Sequence, residues 1–80
     1  MHEERQKEER TRRANRSTLV PGLRADRRRA GWTQRELSER AGVGHGTVSD
    51  LEAGNRGCYP RTIRRLANTL KIEIEELMQE

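Results

Sequence analysis

Residues 33–54 read TQRELSERAGVGHGTVSDLEAG, and this stretch decides the fold. Thr33 is a favourable helix N-cap, and Glu36 follows three residues later at the spacing of a capping box. Leu37 starts the apolar side of the helix, and Gly42 suits the left-handed residue that ends it. The first half of the stretch therefore predicts a short helix that stops at a glycine turn.

The second half of the stretch predicts another short helix. It begins near Gly44 or His45, buries Val48 and Leu51 at i, i+3 spacing, and stops at Gly54. Two short helices joined by a tight turn are the plan of a DNA-binding helix-turn-helix, in which the second helix enters the major groove. The pattern therefore predicts a function as well as a fold, with a recognition helix over about residues 44–53.

Helical spacing continues on both sides of this stretch. Ser17 or Thr18 is predicted to cap a first helix, with Leu19 on its apolar stripe and Pro21 in its first turn. A fourth helix is expected to open at Pro60 or the next residue, and a short fifth helix follows it. Nothing alternates with a period of two, so a sheet is not expected. The prediction is a compact all-α domain of five helices.

The distribution of apolar residues divides the chain. With 80 residues, of which 30% are hydrophobic and 38% charged, one small domain is the most that the chain can form. Residues 1–17 contain almost no apolar side chain and are predicted to be a disordered charged arm, whereas residues 18–80 form the domain. The arm is either a phosphate-tracking segment or a simple flexible terminus.

The charge distribution favours a polyanionic partner. The net charge is +4, but residues 18–71 carry eleven basic and five acidic side chains, a net of +6. A basic domain attracts phosphate backbones, although many soluble domains are basic for solubility alone. Charge therefore supports the helix-turn-helix interpretation without establishing it.

Several chemistries find no support in the sequence. Cys58 is the one cysteine, so no intrachain disulfide can form, and with His2 and His45 it makes no metal-ligand spacing. No apolar run approaches the ~20 residues of a membrane span, and the charged N-terminus is not a secretory signal. We expect a cytoplasmic protein, encoded by a bacterium or a phage, with no catalytic residues, metal or cofactor.

A longer motif carries a family resemblance. It reads Leu23-x3-Arg27-x3-Gly31-Trp32-Thr33-Gln34-x-Glu36-Leu37-x3-Ala41-Gly42-Val43-x3-Thr47-Val48-Ser49-x-Leu51-Glu52-x-Gly54, followed by Pro60-x2-Ile63-x2-Leu66-Ala67-x2-Leu70. This pattern resembles the lambda-repressor-like, Cro-type helix-turn-helix family, the xenobiotic-response-element group of bacterial and phage regulators. The resemblance covers about residues 19–78 and implies a sequence-specific binder of double-stranded DNA. A transcriptional repressor is the regulator it most favours.

The resemblance also implies roles for individual residues. The positions implied to face the bases are His45, Gly46, Ser49 and Asp50. The positions implied to contact phosphates are Thr33, Gln34 and Thr47, and the flanking cations Arg35 and Arg56 are further candidates. Arg27 and Glu52 match a structural ion pair that ties the first helix to the end of the third.

Two features of the reading helix depart from the family pattern. Many relatives have a hydroxyl residue at the position of Gly44 and a larger polar residue at that of Gly46, so the first turn is unusually bare. Asp50 is acidic on a face that meets phosphates. It either accepts from cytosine N4, or it only caps the helix or pairs with a nearby arginine such as Arg56.

The partners expected from this interpretation are double-stranded DNA and a second copy of the chain. The predicted dimer surface lies on the last helix, at Ile74, Leu77 and Met78, and on the loop before the fourth helix. The alternative is a protein-interaction module on the same fold, such as an antitoxin bound to its toxin or a coactivator bound to the transcription machinery. Steep salt dependence of binding to DNA separates the two.

Overall fold

The structure is a computed structural model that describes residues 17–79, and it is built from five helices. The predicted all-α, five-helix fold is confirmed. The predicted arm lies outside the described residues except for Ser17. The helices are α1 (Leu23–Ala30), α2 (Gln34–Ala41), α3 (His45–Ala53), α4 (Pro60–Leu70) and α5 (Ile74–Leu77). Within the described residues no helix is long and apolar enough to cross a membrane.

Local signals in the sequence begin and end these helices. The capping box at α2 is complete: the Glu36 backbone N–H donates to Thr33 Oγ1 at 3.0 Å, and the Thr33 N–H donates to Glu36 Oε1 at 2.9 Å. The first three helices end at glycines in the left-handed region: Gly31, Gly42 and Gly54. Only glycine adopts this conformation without steric penalty, so the helix ends follow from residue type.

The start of α1 differs from the prediction. The helix begins at Leu23 after the N-cap Gly22, which makes no side-chain cap, and not at Ser17 or Thr18. Thr18 instead forms an isolated antiparallel bridge with Cys58, with an N–H donated in each direction at 2.9 Å. Because the bridge uses the Thr18 backbone groups, this segment is extended and cannot join a helix.

The bridge also changes the environment of the apolar residues before α1. Leu19, predicted to lie on a helical stripe, is 54% exposed, whereas Val20 is buried in the core. Gly57 makes the close approach possible, because a Cβ on it would lie 2.5 Å from the carbonyl carbon of Thr18. The sequence pattern does not predict this pairing, since it joins residues forty positions apart.

One hydrophobic core joins all five helices. Its fully buried side chains include one or more from each helix: Leu23, Leu37, Val48, Leu51, Leu66 and Leu77. The short helix α5 closes the core beneath α1, and the Gly22 N–H donates to the Leu77 carbonyl at 2.9 Å. Trp32, between α1 and α2, packs against the core, and Arg40 lies over its ring at 4.5 Å from the centroid.

Candidate nucleic-acid interface

The core determines which face of α3 is free. Val48 and Leu51 are buried on the inner side of this helix, while His45 and Gly46 are exposed and Ser49 and Asp50 are partly exposed. The recognition helix was predicted over about 44–53, and the structure has Gly44 as N-cap and His45–Ala53 as helix. All four positions expected to read bases therefore lie outside the buried face.

The side chains on this free face are short. A Cβ at Gly46 would meet nothing within 4 Å, so this position is open to an approaching partner. Among the ion pairs of the described residues, none joins Asp50 to Arg56. The alternative in which Asp50 serves only as a partner of that arginine is therefore not realised in this structure.

Three of the candidate phosphate contacts lie at the start of α2, and the other two lie on α3 and in the loop after it. Arg35 is exposed there and Gln34 is partly buried, while Arg56 is exposed in the loop after α3. The Thr33 hydroxyl already accepts the N–H of Glu36, so its oxygen serves the helix cap. Thr47 is partly buried on α3.

A buried carboxylate joins the three helices of the motif. The side chain of Glu52, near the end of α3, has no exposed surface. Arg27 of α1 donates through Nε to Oε2 at 2.5 Å and through Nη2 to Oε1 at 2.9 Å, and Gln34 of α2 donates through Nε2 to Oε1 at 3.1 Å. The angle of α3 against α1 and α2 is therefore defined by directional bonds as well as by packing.

The charges of this cluster are mutually stabilised. Burial would raise the pKa of Glu52, but hydrogen bonds from Arg27, Gln34 and Arg24, together with the Arg27 charge, outweigh it and hold that pKa below its ordinary value. Hydrogen bonding to Glu52 raises the pKa of Arg27. Arg27 also donates from Nη1 to the Trp32 carbonyl at 2.7 Å, so its guanidinium is used within the protein.

Sequence reasoning missed Arg24. Its Nε lies 3.4 Å from Glu52 Oε1, and its side chain is 52% exposed. The available signal was its position three residues before Arg27, which places both arginines on one face of α1.

A second charged cluster joins α1 to α5. The Asp26 side chain is buried and accepts from Arg29 Nη1 at 3.1 Å, and Glu76 lies nearby with Oε2 at 3.9 Å from the same nitrogen. Burial raises the pKa of Asp26, the Glu76 carboxylate raises it further, and Arg29 opposes this shift. Asp26 Oδ2 is buried without a hydrogen-bond partner in the described part of the chain.

The predicted dimer residues do not share one environment. Leu77 has no exposed surface, because α5 turns it into the core, so it is not available to a partner. Ile74 and Met78 pack on the edge of the core and are partly exposed. A dimer surface on α5 would therefore consist of these two residues without Leu77.

Two helices joined at a glycine turn, with the second presenting a free polar face, define a class: the helix-turn-helix domains that DNA-binding proteins use. The profile of the family described as "Helix-turn-helix domain" matches residues 22–79, and the chain belongs to that family.

Known proteins that are similar to this chain include a controller protein and a repressor. The crystal structure of the restriction-modification controller protein C.AhdI from Aeromonas hydrophila matches with a TM-score of 0.69 and 31% identity, covering 80% of this chain and 93% of that one. The competence pilus inhibition repressor of Acinetobacter baylyi is 31% identical over 51 residues, which are 64% of this chain and 46% of that protein. The chain thus spans about half the length of this curated relative.

Proposed function

We propose that the chain represses transcription by binding an operator in duplex DNA, with α3 lying in the major groove. The observation that carries the proposal is the free face of α3, on which His45, Ser49 and Asp50 surround the open position at Gly46. An α-helix with its side chains is about 10–12 Å across, which fits a major groove about 12 Å wide. The similar repressor and controller proteins support a role in gene control.

The chemistry of this face suits base edges. The Asp50 carboxylate accepts a hydrogen bond from the exocyclic amine of cytosine, and the Ser49 hydroxyl donates or accepts one. The imidazole of His45 has one nitrogen that donates and one that accepts. Gly46 has no side chain and lets the helix backbone come close to the base pairs. We infer that specificity comes from these four positions.

We infer that the protein is positioned on DNA by contacts with phosphates. The candidates are Thr33, Gln34, Arg35, Thr47 and Arg56. At the start of α2 the first backbone N–H groups have no helical partner, and Gln34 and Arg35 carry two of them. Such groups and a nearby cation suit a phosphate oxygen and carry no sequence information.

We propose that the protein binds as a homodimer. Two reading helices then meet half-sites about 34–36 Å apart, one turn of the duplex. Ile74 and Met78 are the candidate contacts, because they are the apolar side chains of the predicted last-helix surface that retain exposure. Sedimentation of wild type and Met78→Glu tests this: the variant is expected to be monomeric, and an unchanged dimer would rule out this surface.

The experiment that tests the function is selection of binding sites from a random duplex pool. We expect one enriched motif with two related half-sites, bound far more tightly than random DNA. Repeating the selection with His45→Ala and with Asp50→Ala should change the preferred bases, whereas Arg35→Ala should weaken binding to all sequences and keep the motif. Failure of the wild type to enrich any motif contradicts the proposal, and a protein-interaction module then explains the fold better.

A further inference from the structure

Three donors approach Glu52 Oε1, which has two lone pairs with which to accept them. Arg27 Nη2 lies at 2.9 Å, Gln34 Nε2 at 3.1 Å and Arg24 Nε at 3.4 Å from this one oxygen. A carbonyl-type oxygen offers two lone pairs, so the most distant donor is the most weakly held. Arg24 is therefore the partner of Glu52 most easily shared with another group.

The cluster also carries surplus positive charge. Two guanidinium groups face one carboxylate, and Arg27 makes the close two-bond fork with it while only 11% exposed. The unneutralised charge is consequently that of Arg24. Its side chain is 52% exposed, and its two terminal nitrogens have no hydrogen-bond partner among the described residues.

Arg24 lies beside a residue already assigned to phosphate binding. It shares the acceptor Glu52 Oε1 with Gln34, so its guanidinium is close to the side-chain amide at the start of α2. One hydrogen of Gln34 Nε2 is used on Glu52, which leaves the second hydrogen for another acceptor. An amide hydrogen next to a free guanidinium fork matches the oxygens of a phosphate.

We propose that Arg24 binds a phosphate of the DNA backbone together with Gln34, and that Glu52 is the positioning residue that orients both. This inference rests on the proposed function, since it adds a contact to the same DNA-bound state. It assigns different tasks to the two arginines of α1 that contact Glu52: Arg27 stabilises the fold, and Arg24 binds the phosphate. The bond from Arg24 to Glu52 reduces the rotamer freedom lost on binding.

The test is a salt titration of binding to the selected operator and to a random duplex of equal length. Loss of one phosphate contact should reduce the slope of log K against log salt by about 0.9 for Arg24→Ala, and the affinity by roughly eightfold at 0.1 M salt. The loss should be the same on both duplexes, because a phosphate carries no sequence information. Arg24→Lys, which keeps the charge, should restore most of the slope.

Arg29→Ala is the matched control. It removes another exposed arginine of α1 whose guanidinium faces Asp26 and Glu76, and it should leave the slope unchanged. If Arg24→Ala keeps the wild-type slope, or if its slope changes no more than that of Arg29→Ala, the inference is overturned. A wild type that binds both duplexes equally contradicts operator recognition, and the slopes on the random duplex still decide the role of Arg24.

Discussion

The Arg27 guanidinium donates two hydrogen bonds to the Glu52 carboxylate, from Nε to Oε2 at 2.5 Å and from Nη2 to Oε1 at 2.9 Å. The pair connects the middle of α1 to the end of α3 across twenty-five residues of sequence. A buried ion pair adds little net stability relative to apolar packing, but removal of one partner leaves an uncompensated charge. The orientation of α3 thus depends on both members.

Arg27→Ala is expected to lower the free energy of unfolding by about 2–4 kcal/mol, because the Glu52 carboxylate is left without its principal partner. Arg24 and Gln34 still donate to it, which limits the loss. Urea denaturation followed by circular dichroism measures the effect. Arg28→Ala, an exposed neighbour on the same helix, should change stability by less than about 0.5 kcal/mol. Equal effects of the two substitutions would show that the pair contributes nothing beyond helix propensity.

Glu52 should make the fold sensitive to acid. Its pKa in the folded protein lies below the ordinary value of 4.5, so the folded state binds its proton less readily than the unfolded state. The stabilisation that ionised Glu52 contributes is fully present above pH 4.5, and it is lost as the pH falls through the pKa that Glu52 has in the folded protein. Unfolding free energies of wild type and Glu52→Gln, measured from pH 3 to 7, should therefore converge on the acid side. A difference that stays constant with pH contradicts this linkage.

Asp26 should act in the opposite direction. Burial and the nearby Glu76 carboxylate raise its pKa, so the folded state binds this proton more readily than the unfolded state. The ionised group therefore weakens folding above its folded pKa, and this penalty is relieved as pH falls toward the ordinary value of 3.8. Asp26→Asn should be more stable than wild type at pH 7 in thermal unfolding, and the advantage should shrink in acid. A less stable variant would mean that the ion pair with Arg29 dominates.

Two glycines should respond oppositely to alanine. At Gly46 a Cβ meets nothing within 4 Å, so Gly46→Ala should stabilise α3 by about 0.5–1 kcal/mol through helix propensity. At Gly57 a Cβ would lie 2.5 Å from Thr18, so Gly57→Ala should destabilise the fold by about 1–3 kcal/mol. Denaturant unfolding of both variants measures this.

Gly46→Ala should nevertheless weaken operator binding, because the added methyl group separates α3 from the bases. An operator affinity equal to that of the wild type would exclude a close approach of the helix backbone to the bases at this position.

The helix-turn-helix and its helix ends were predictable because their causes are local. The capping box at Thr33 and the left-handed glycines Gly42 and Gly54 act within a few residues of themselves. The apolar spacing of Val48 and Leu51 likewise determines the buried side of α3, and hence its free face. The Thr18–Cys58 bridge was not predictable in the same way, since it depends on two segments that meet only after the chain has folded.

The sequence by itself determined the five helices, the turn and the residues on the free face of α3, because short-range hydrogen bonding and apolar periodicity specify them. Only the tertiary structure decided that Leu77 is core and not a dimer contact, and that α1 starts at Leu23. It also decided that Arg24 and Gln34 share one oxygen of Glu52. These relationships depend on side chains from different helices reaching the same point, and the sequence encodes such distances only through the complete packing of the core.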